Sequence, residues 1–320
     1  MVTRPFPVNP ILTAVCIGYR NRDMIADLVL PRIPVMGEVY RFTRYPLAEQ
    51  FTVPRTLVGR RGRVERVEFS GTQDEGSTKD YALEDGIPIS DINAAAAQRT
   101  AGLGNFDPEA RAAEGLTNLL ELDREVRVAG IVQDPNNYAA SRRLVLSGSD
   151  QFSDPASKPI KVFKAAFGAT LIYRPNTITM GRDAWSGLSS NPELVNAVKG
   201  NVTSSGIITP QEFVNLFAGE GLKRILIGES FVNTARPGQA ATLSRVWGKS
   251  IALHYQDDQI RPEQGGVTWG FTAQYGTRGS ANWQDRNVGA EGGNVVRVWE
   301  KTDEKVVAPD VGFLMQNAVA

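Results

Sequence analysis

The 320-residue sequence has little of the residue types that build metal and redox sites. It contains one cysteine, Cys16, and one histidine, His254. A single cysteine excludes an intrachain disulfide, and one residue of each type cannot supply the several ligands of a zinc cluster. No stretch of 18 apolar residues occurs, and the apolar run at 11–18 lacks a signal-peptide cleavage pattern. We therefore expect a soluble protein.

Net charge is also absent, because 35 basic residues balance 35 acidic ones. A protein that reads duplex DNA is usually basic, so this balance argues against that class. Lysine is scarce in the first 157 residues, where Lys79 is the only one among many arginines. Arginine is favoured over lysine at protein interfaces. A GC-rich genome would give the same bias, and the sequence leaves both explanations open.

Motifs for catalysis and cofactor binding are missing as well. The glycine runs "EQGG" and "EGGN" lack the Lys-Ser/Thr of a phosphate loop, and no G-x-S-x-G turn is present. His254 lies in a predicted strand and is interpreted as structural. Asp257 and Asp258 are adjacent and so point to opposite faces of an extended chain, which disfavours a shared metal. No catalytic, cofactor-binding or metal-binding residue is predicted, and no cofactor.

Residues 35–90 have β patterns but few large apolar residues. "GRRGRVERVEF" (59–69) alternates like a strand yet carries charge on both faces, whereas "SGTQDEGSTKD" (70–80) is typical of a turn. A strand normally turns one apolar face to a core. Alternating charge signs favour protein–protein pairing over phosphate binding. The predicted inter-subunit contact residues of this loop are Arg60, Arg61, Arg63, Glu65, Arg66 and Glu68.

A long helix is predicted next, at about 107–133. Asp107 is a candidate N-cap, Pro108 suits the first helical position, and Pro135 ends the pattern. The predicted inward stripe consists of Ala112, Leu116, Leu119, Leu122, Val126, Ala129 and Val132.

The second half alternates short helices and strands. Thr209 and Glu212 form a candidate capping box. The segment 295–308 is polar in its middle and is predicted to be a ribbon at a sheet edge. A hairpin, a long helix and then mixed elements indicate the α+β class.

Several stretches in a fixed order resemble one known family. They include "KDYALEDGIPISDINA" (79–94), the long-helix segment 107–138, the segment 144–160 with Phe152 where a Trp is common, and the segments 173–195, 238–255 and 295–319. Together they resemble the major capsid proteins of tailed bacteriophages over nearly the whole chain.

The resemblance implies a fold of four parts. These would be an N-terminal arm (1–34), an extended β-hairpin loop (35–90), a peripheral domain with a spine helix (91–154 and 295–310), and a mixed αβ axial domain (155–294 and 311–320). The loop would lie across a neighbouring subunit, which explains a strand with charge on both faces. Because only about 34 residues precede the loop, the resemblance implies either a separate scaffold or a leader that has already been removed, and Met1 favours the separate scaffold. No cross-link through Lys79 is expected.

The resemblance also implies a function without catalysis. Hexamers and pentamers would form an icosahedral virion shell around double-stranded DNA, with assembly in the host cytoplasm. Expected partners are a scaffold, a portal and a decoration protein, with non-specific DNA contact at most and no membrane. Two alternatives remain open: an encapsulin-like compartment of the same fold, and an unrelated α+β enzyme that uses His254 or the Asp257–Asp258 pair.

Overall fold

The computed structural model describes residues 24–44, 51–68, 70–102, 104, 106–170, 172–200, 205–257 and 267–320. The seven described α-helices are α1 (Ala26–Val29), α2 (Ile89–Thr100), α3 (Pro108–Gln133), α4 (Pro159–Ala169), α5 (Arg182–Ser189), α6 (Pro192–Lys199) and α7 (Pro210–Leu216). The described strands are β1 (Arg32–Val35), β2 (Val39–Arg44), β3 (Thr72–Ser77), β4 (Lys79–Pro88), β5 (Arg143–Val145), β6 (Thr177–Gly181), β7 (Arg224–Gly228), β8 (Phe231–Asn233), β9 (Leu243–Arg245), β10 (Ile251–His254), β11 (Gly270–Tyr275), β12 (Gly279–Asp285), β13 (Gly293–Val306) and β14 (Gly312–Gln316). Most of the predicted arm, including Cys16, lies outside the described residues.

Two predicted helix starts are confirmed by their caps. The Asp107 side chain accepts a hydrogen bond from the Glu109 amide at 3.0 Å, and Pro108 is the first residue of α3. At α7, Thr209 and Glu212 form the reciprocal capping box. Each cap satisfies backbone donors that the first helical turn leaves unpaired.

Two mixed sheets organise the chain, which confirms the α+β class. The first runs β1-β11-β13-β12, with β4 also paired to β13. The second runs β5-β14-β10-β6-β7 and packs against α4, α5, α6 and α7 around a core rich in phenylalanine. Two separate hairpins, β2–β3 and β8–β9, complete the strand pairing of the described residues.

Strand β13 is central, and the prediction of an edge ribbon at 295–308 was wrong. On one side it pairs with all ten residues of β4. On the other side it pairs first with β12 and then with β11. Its polar middle does not mark an edge, because Glu300 is fully buried between the guanidinium groups of Arg32 (2.9 Å) and Arg278 (3.1 Å).

The predicted apolar stripe of α3 is only partly correct. Leu116, Ala129 and Val132 are buried or packed inward, but Leu119 and Val126 are exposed. The residues of α3 that are buried are instead Pro108, Leu116, Leu120, Arg124, Glu125, Val128, Ala129 and Val132. The stripe turns around the helix, because the N-terminal half packs on β4 and β13 and the C-terminal half packs on α1 and the second sheet.

The two buried charges of α3 hold the short helix α1 at both ends. The Glu125 carboxylate accepts the amides of Ile25 (3.0 Å) and Ala26 (2.8 Å), which is favourable at a helix N-terminus. Arg124, only 2% exposed, donates to the Leu30 carbonyl at 3.1 Å and forms an ion pair with Asp27. This clamp fixes α1 against α3.

The predicted domain boundary at residue 294 runs through the first sheet. Strands β11 and β12 lie on its axial side, yet they pair with β13, which the prediction assigns to the periphery. The hydrogen-bonded sheet therefore groups these three strands together.

Replacing Glu125 with Ala should lower the free energy of unfolding of the unassembled subunit by about 3 kcal/mol, because buried donors lose a charged acceptor. These donors are the amides of Ile25 and Ala26, Trp247 Nε1 at 2.6 Å and Ser230 Oγ at 3.4 Å. The matched control is Asp123→Ala on the same helix, where an exposed ion pair with Arg127 is lost. We expect less than about 1 kcal/mol there. If urea denaturation shows that Glu125→Ala and Asp123→Ala lower the free energy of unfolding equally, the clamp is contradicted.

Candidate assembly surface

The tip of the hairpin, defined as residues 51–68, has no regular structure apart from a turn at Gly59–Gly62 and helical geometry at Phe51. The strand predicted at 59–69 is therefore wrong for the residues described. A strand needs a hydrogen-bonded neighbour, and β2 and β3 pair only with each other. Residues 70–80, predicted as a turn, instead form β3 and begin β4.

The tip presents both apolar and charged side chains to solvent. Val53 is 90% exposed, Leu57 82% and Val64 74%. The predicted contact residues Arg60, Arg61, Arg63, Glu65, Arg66 and Glu68 are all exposed. The Arg55 amide donates to Glu65 at 3.1 Å, but none of the four arginines from 60 to 66 forms an ion pair with another described residue. An exposed mixture of this kind is typical of an interaction surface.

The base of the hairpin, defined as β2 and β3, behaves differently because it packs on the chain's own body. Tyr40 and Phe42 each lie 6.3 Å from the Phe271 ring of β11, in edge-to-face geometry. Lys305 of β13 lies over the Phe42 ring at 5.2 Å and donates to the Glu75 carbonyl at 2.6 Å. The hairpin thus has an anchored base, and only the tip lacks a core.

The Tyr40 side chain passes over β3 to reach β13 in the body of the subunit. In the β2–β3 register it faces Gly76, and any Cβ at Gly76 would collide with its ring. The ring is 8% exposed, and its hydroxyl donates to Asp303 of β13 at 2.7 Å. Burial raises the pKa of the Tyr40 phenol far above its usual value, and the Asp303 hydrogen bond raises it further, so the hydroxyl remains a donor.

Replacing Gly76 with Ala should displace the Tyr40 ring and detach the hairpin base. We expect hydrogen exchange of the β3 amides to accelerate, with a stability loss of about 2 kcal/mol at the base from exposing the ring. Gly59→Ala is the matched control, since a Cβ there meets nothing within 4 Å. Tyr40→Phe keeps the packing and should cost only about 1 kcal/mol. Unchanged exchange in Gly76→Ala would exclude this anchoring role.

No described residues form a catalytic arrangement around the only histidine. His254 is fully buried in β10, its ring is stacked on Trp269 at 5.4 Å, and neither ring nitrogen has a hydrogen-bond partner. Burial, and then the charge of Arg224, lowers its pKa to about 3. The interpretation of His254 as structural fits this geometry.

Asp258 lies outside the described residues. Within the described part of the chain, no group of three His, Cys, Asp or Glu could hold a metal ion.

The lowered pKa of His254 makes a pH dependence of stability testable. The unfolded chain binds this proton near pH 6.5 and the folded chain near pH 3, so acidification between these values favours unfolding. The contribution is on the order of 5 kcal/mol at the acid end. His254→Phe keeps the stack on Trp269 and should flatten the decline of the unfolding free energy over this window. If the unfolding free energies of the wild type and His254→Phe fall in parallel over this pH range, the lowered pKa of His254 is contradicted.

Comparison with known proteins decides the family. The major capsid protein of Pseudomonas phage JBD67 is 42% identical to this chain over 320 residues, the full length of both. The chain belongs to the bacteriophage major capsid proteins. The major capsid protein of Burkholderia phage BcepMu is 28% identical over 251 residues, which cover 78% of this chain and 76% of that protein. No protein-family profile matches the chain.

Solved structures share the capsid fold at lower identity. A phage-related protein from Bordetella bronchiseptica RB50 has a TM-score of 0.70 at 23% identity, with 94% of each chain covered. The capsid of cyanophage P-SCSP1u has a TM-score of 0.59 at 10% identity, over 95% of this chain and 91% of the other. The SrpI encapsulin of Synechococcus elongatus PCC 7942 has a TM-score of 0.55 at 12% identity, over 96% of this chain and 92% of the other. These likenesses concern the fold alone.

As a major capsid protein, the chain is a structural component of the virion shell. Among the described residues, no helix combines the length and hydropathy that crossing a membrane requires.

Proposed function

We propose that copies of this capsid protein assemble as hexamers and pentamers into a closed icosahedral shell around a double-stranded DNA genome. The observation that carries the proposal is the divided hairpin, whose base is packed while its tip exposes valines, a leucine and arginines to solvent. A neighbouring copy supplies a partner for the tip. Repetition of one such contact around closed symmetry builds a shell from many modest interfaces.

The tip contact involves the six residues predicted from the sequence. Arg60, Arg61, Arg63, Glu65, Arg66 and Glu68 contact the adjacent subunit. Their exposure and their lack of ion pairs within the described chain support this role. Of the predicted arm (1–34), the described residues 24–34 pack on the body through the Glu125–Arg124 clamp and strand β1, so the arm role is proposed only for the residues before them.

The four-part division is proposed with boundaries that follow the two sheets. Strands β1, β4, β11 and β12 belong to the peripheral domain, because they share a hydrogen-bonded sheet with β13. Strand β5 belongs to the axial domain, because it pairs with β14. The helix α3 is the spine of the peripheral domain, and the second sheet with its helices forms the axial domain.

The chain performs no catalysis and needs no cofactor. Its partners are a scaffold, a portal and a decoration protein, and assembly takes place in the host cytoplasm. Zero net charge supports only weak, non-specific contact with packaged DNA. Because encapsulins share this fold, a shell that encloses a cargo protein is the weaker alternative function. The full-length likeness to a phage capsid protein favours a virion shell.

Replacing residues 51–68 with a short Gly-Ser linker tests the role of the tip. The β2–β3 base stays intact, so we expect a folded, soluble subunit whose yield of megadalton particles falls by at least about tenfold, since the central contact is lost. Negative-stain microscopy and sedimentation measure the yield, and circular dichroism checks the fold.

The matched control is Met36→Ser, which removes an equally exposed apolar side chain outside the tip. It should leave assembly unchanged. Normal shells from the tip-replaced protein would overturn the proposed role of the tip.

A further inference from the structure

Strand β4 has one free edge. All ten of its residues pair with β13, and its other edge pairs with no described strand. Residues 82–86 at its centre are exposed. A free edge of ten residues offers unpaired backbone donors and acceptors over about 33 Å. Such an edge accepts an added strand from another chain.

Charge lies on both faces of this edge. Glu84 and Asp85 are neighbours, so their side chains point to opposite faces of the sheet. Glu84 forms an exposed ion pair with Arg297 at 2.6 Å, whereas no ion pair joins Asp85 to another described residue. Two copies of this edge would repel each other, because acids would face acids. The edge therefore favours a partner strand that carries an arginine on each face.

The tip carries the complementary pattern. Residues 51–68 contain five arginines and two glutamates, a net charge of +3. Within them, "RVERVE" (63–68) holds two arginines, two glutamates and no proline, so every amide can donate. Arg63 and Arg66 would lie on opposite faces of a strand, matching Asp85 and Glu84 on the two faces of the edge. This segment has strand propensity but pairs with no strand among the residues that the structure describes.

We infer that residues 63–68 of one copy add as a strand to the free edge of β4 in a second copy. The inference rests on the proposed shell function and names the acceptor of the tip. The charges on both faces then have a physical use, since an added strand beyond the core is solvated on both sides. The segment becomes a strand only when the second copy supplies the hydrogen bonds.

Charge reversal tests the pairing. The tip variant is Arg63→Glu with Arg66→Glu, and the edge variant is Glu84→Arg with Asp85→Arg. Each should reduce particle yield by about tenfold through like-charge contact, and the combination should restore most of it. Asp85→Arg alone, which breaks no ion pair within the described chain, checks that folding is unaffected. Asp150→Arg, at an exposed acid outside the edge, is the matched control and should assemble normally.

Hydrogen exchange of wild-type particles gives a second measurement. Amides of 63–68 and 82–86 should both become protected relative to subunits dissociated from the same particles. If shells form but neither segment gains protection, or if the edge variant assembles like wild type, the inference is overturned while the shell function stands. Protection that requires an added second protein would also overturn it. Failure of the wild-type chain to form particles would instead remove the proposed function.

Discussion

The assembly surface depends on the pairing of β13, a 14-residue strand that is hydrogen-bonded on both edges. One of its edges holds β4 in place. From the same strand, Asp303 and Lys305 anchor the hairpin base, and Val296 and Val298 pack toward α3. A central strand cannot shift register without exposing its buried face. The direction of the hairpin and the position of the β4 edge are therefore fixed relative to each other.

A rigid base with an exposed tip suits a protein that must remain soluble before it assembles. The base uses the Tyr40 phenol, its aromatic neighbours and Lys305, all within one chain. The tip spreads valines and arginines over 18 residues, so no large apolar patch forms on the free subunit. In the proposed contact, binding orders only the tip, and the entropy cost stays confined to that short segment.

Local signals in the sequence were reliable where nearby side chains form hydrogen bonds to unpaired backbone groups. The Asp107 cap and the Thr209–Glu212 box each depend on residues within four positions, and the structure confirms both. The inward stripe of α3 was less predictable, because two different layers pack on the helix. Arg124 and Glu125 are buried only because α1, distant in sequence, brings amides, a carbonyl and Asp27 to them.

The sequence by itself determined the α+β class, the long helix, the absence of a metal or disulfide framework, and the family resemblance. These follow from composition, short-range periodicity and motif order. Only the tertiary structure decided that β13 is central, that residues 72–77 are a strand, and that 59–68 are not. Strand formation depends on a partner distant in the chain, and residue patterns do not specify which partner is available. For the tip, we infer that this partner belongs to another copy.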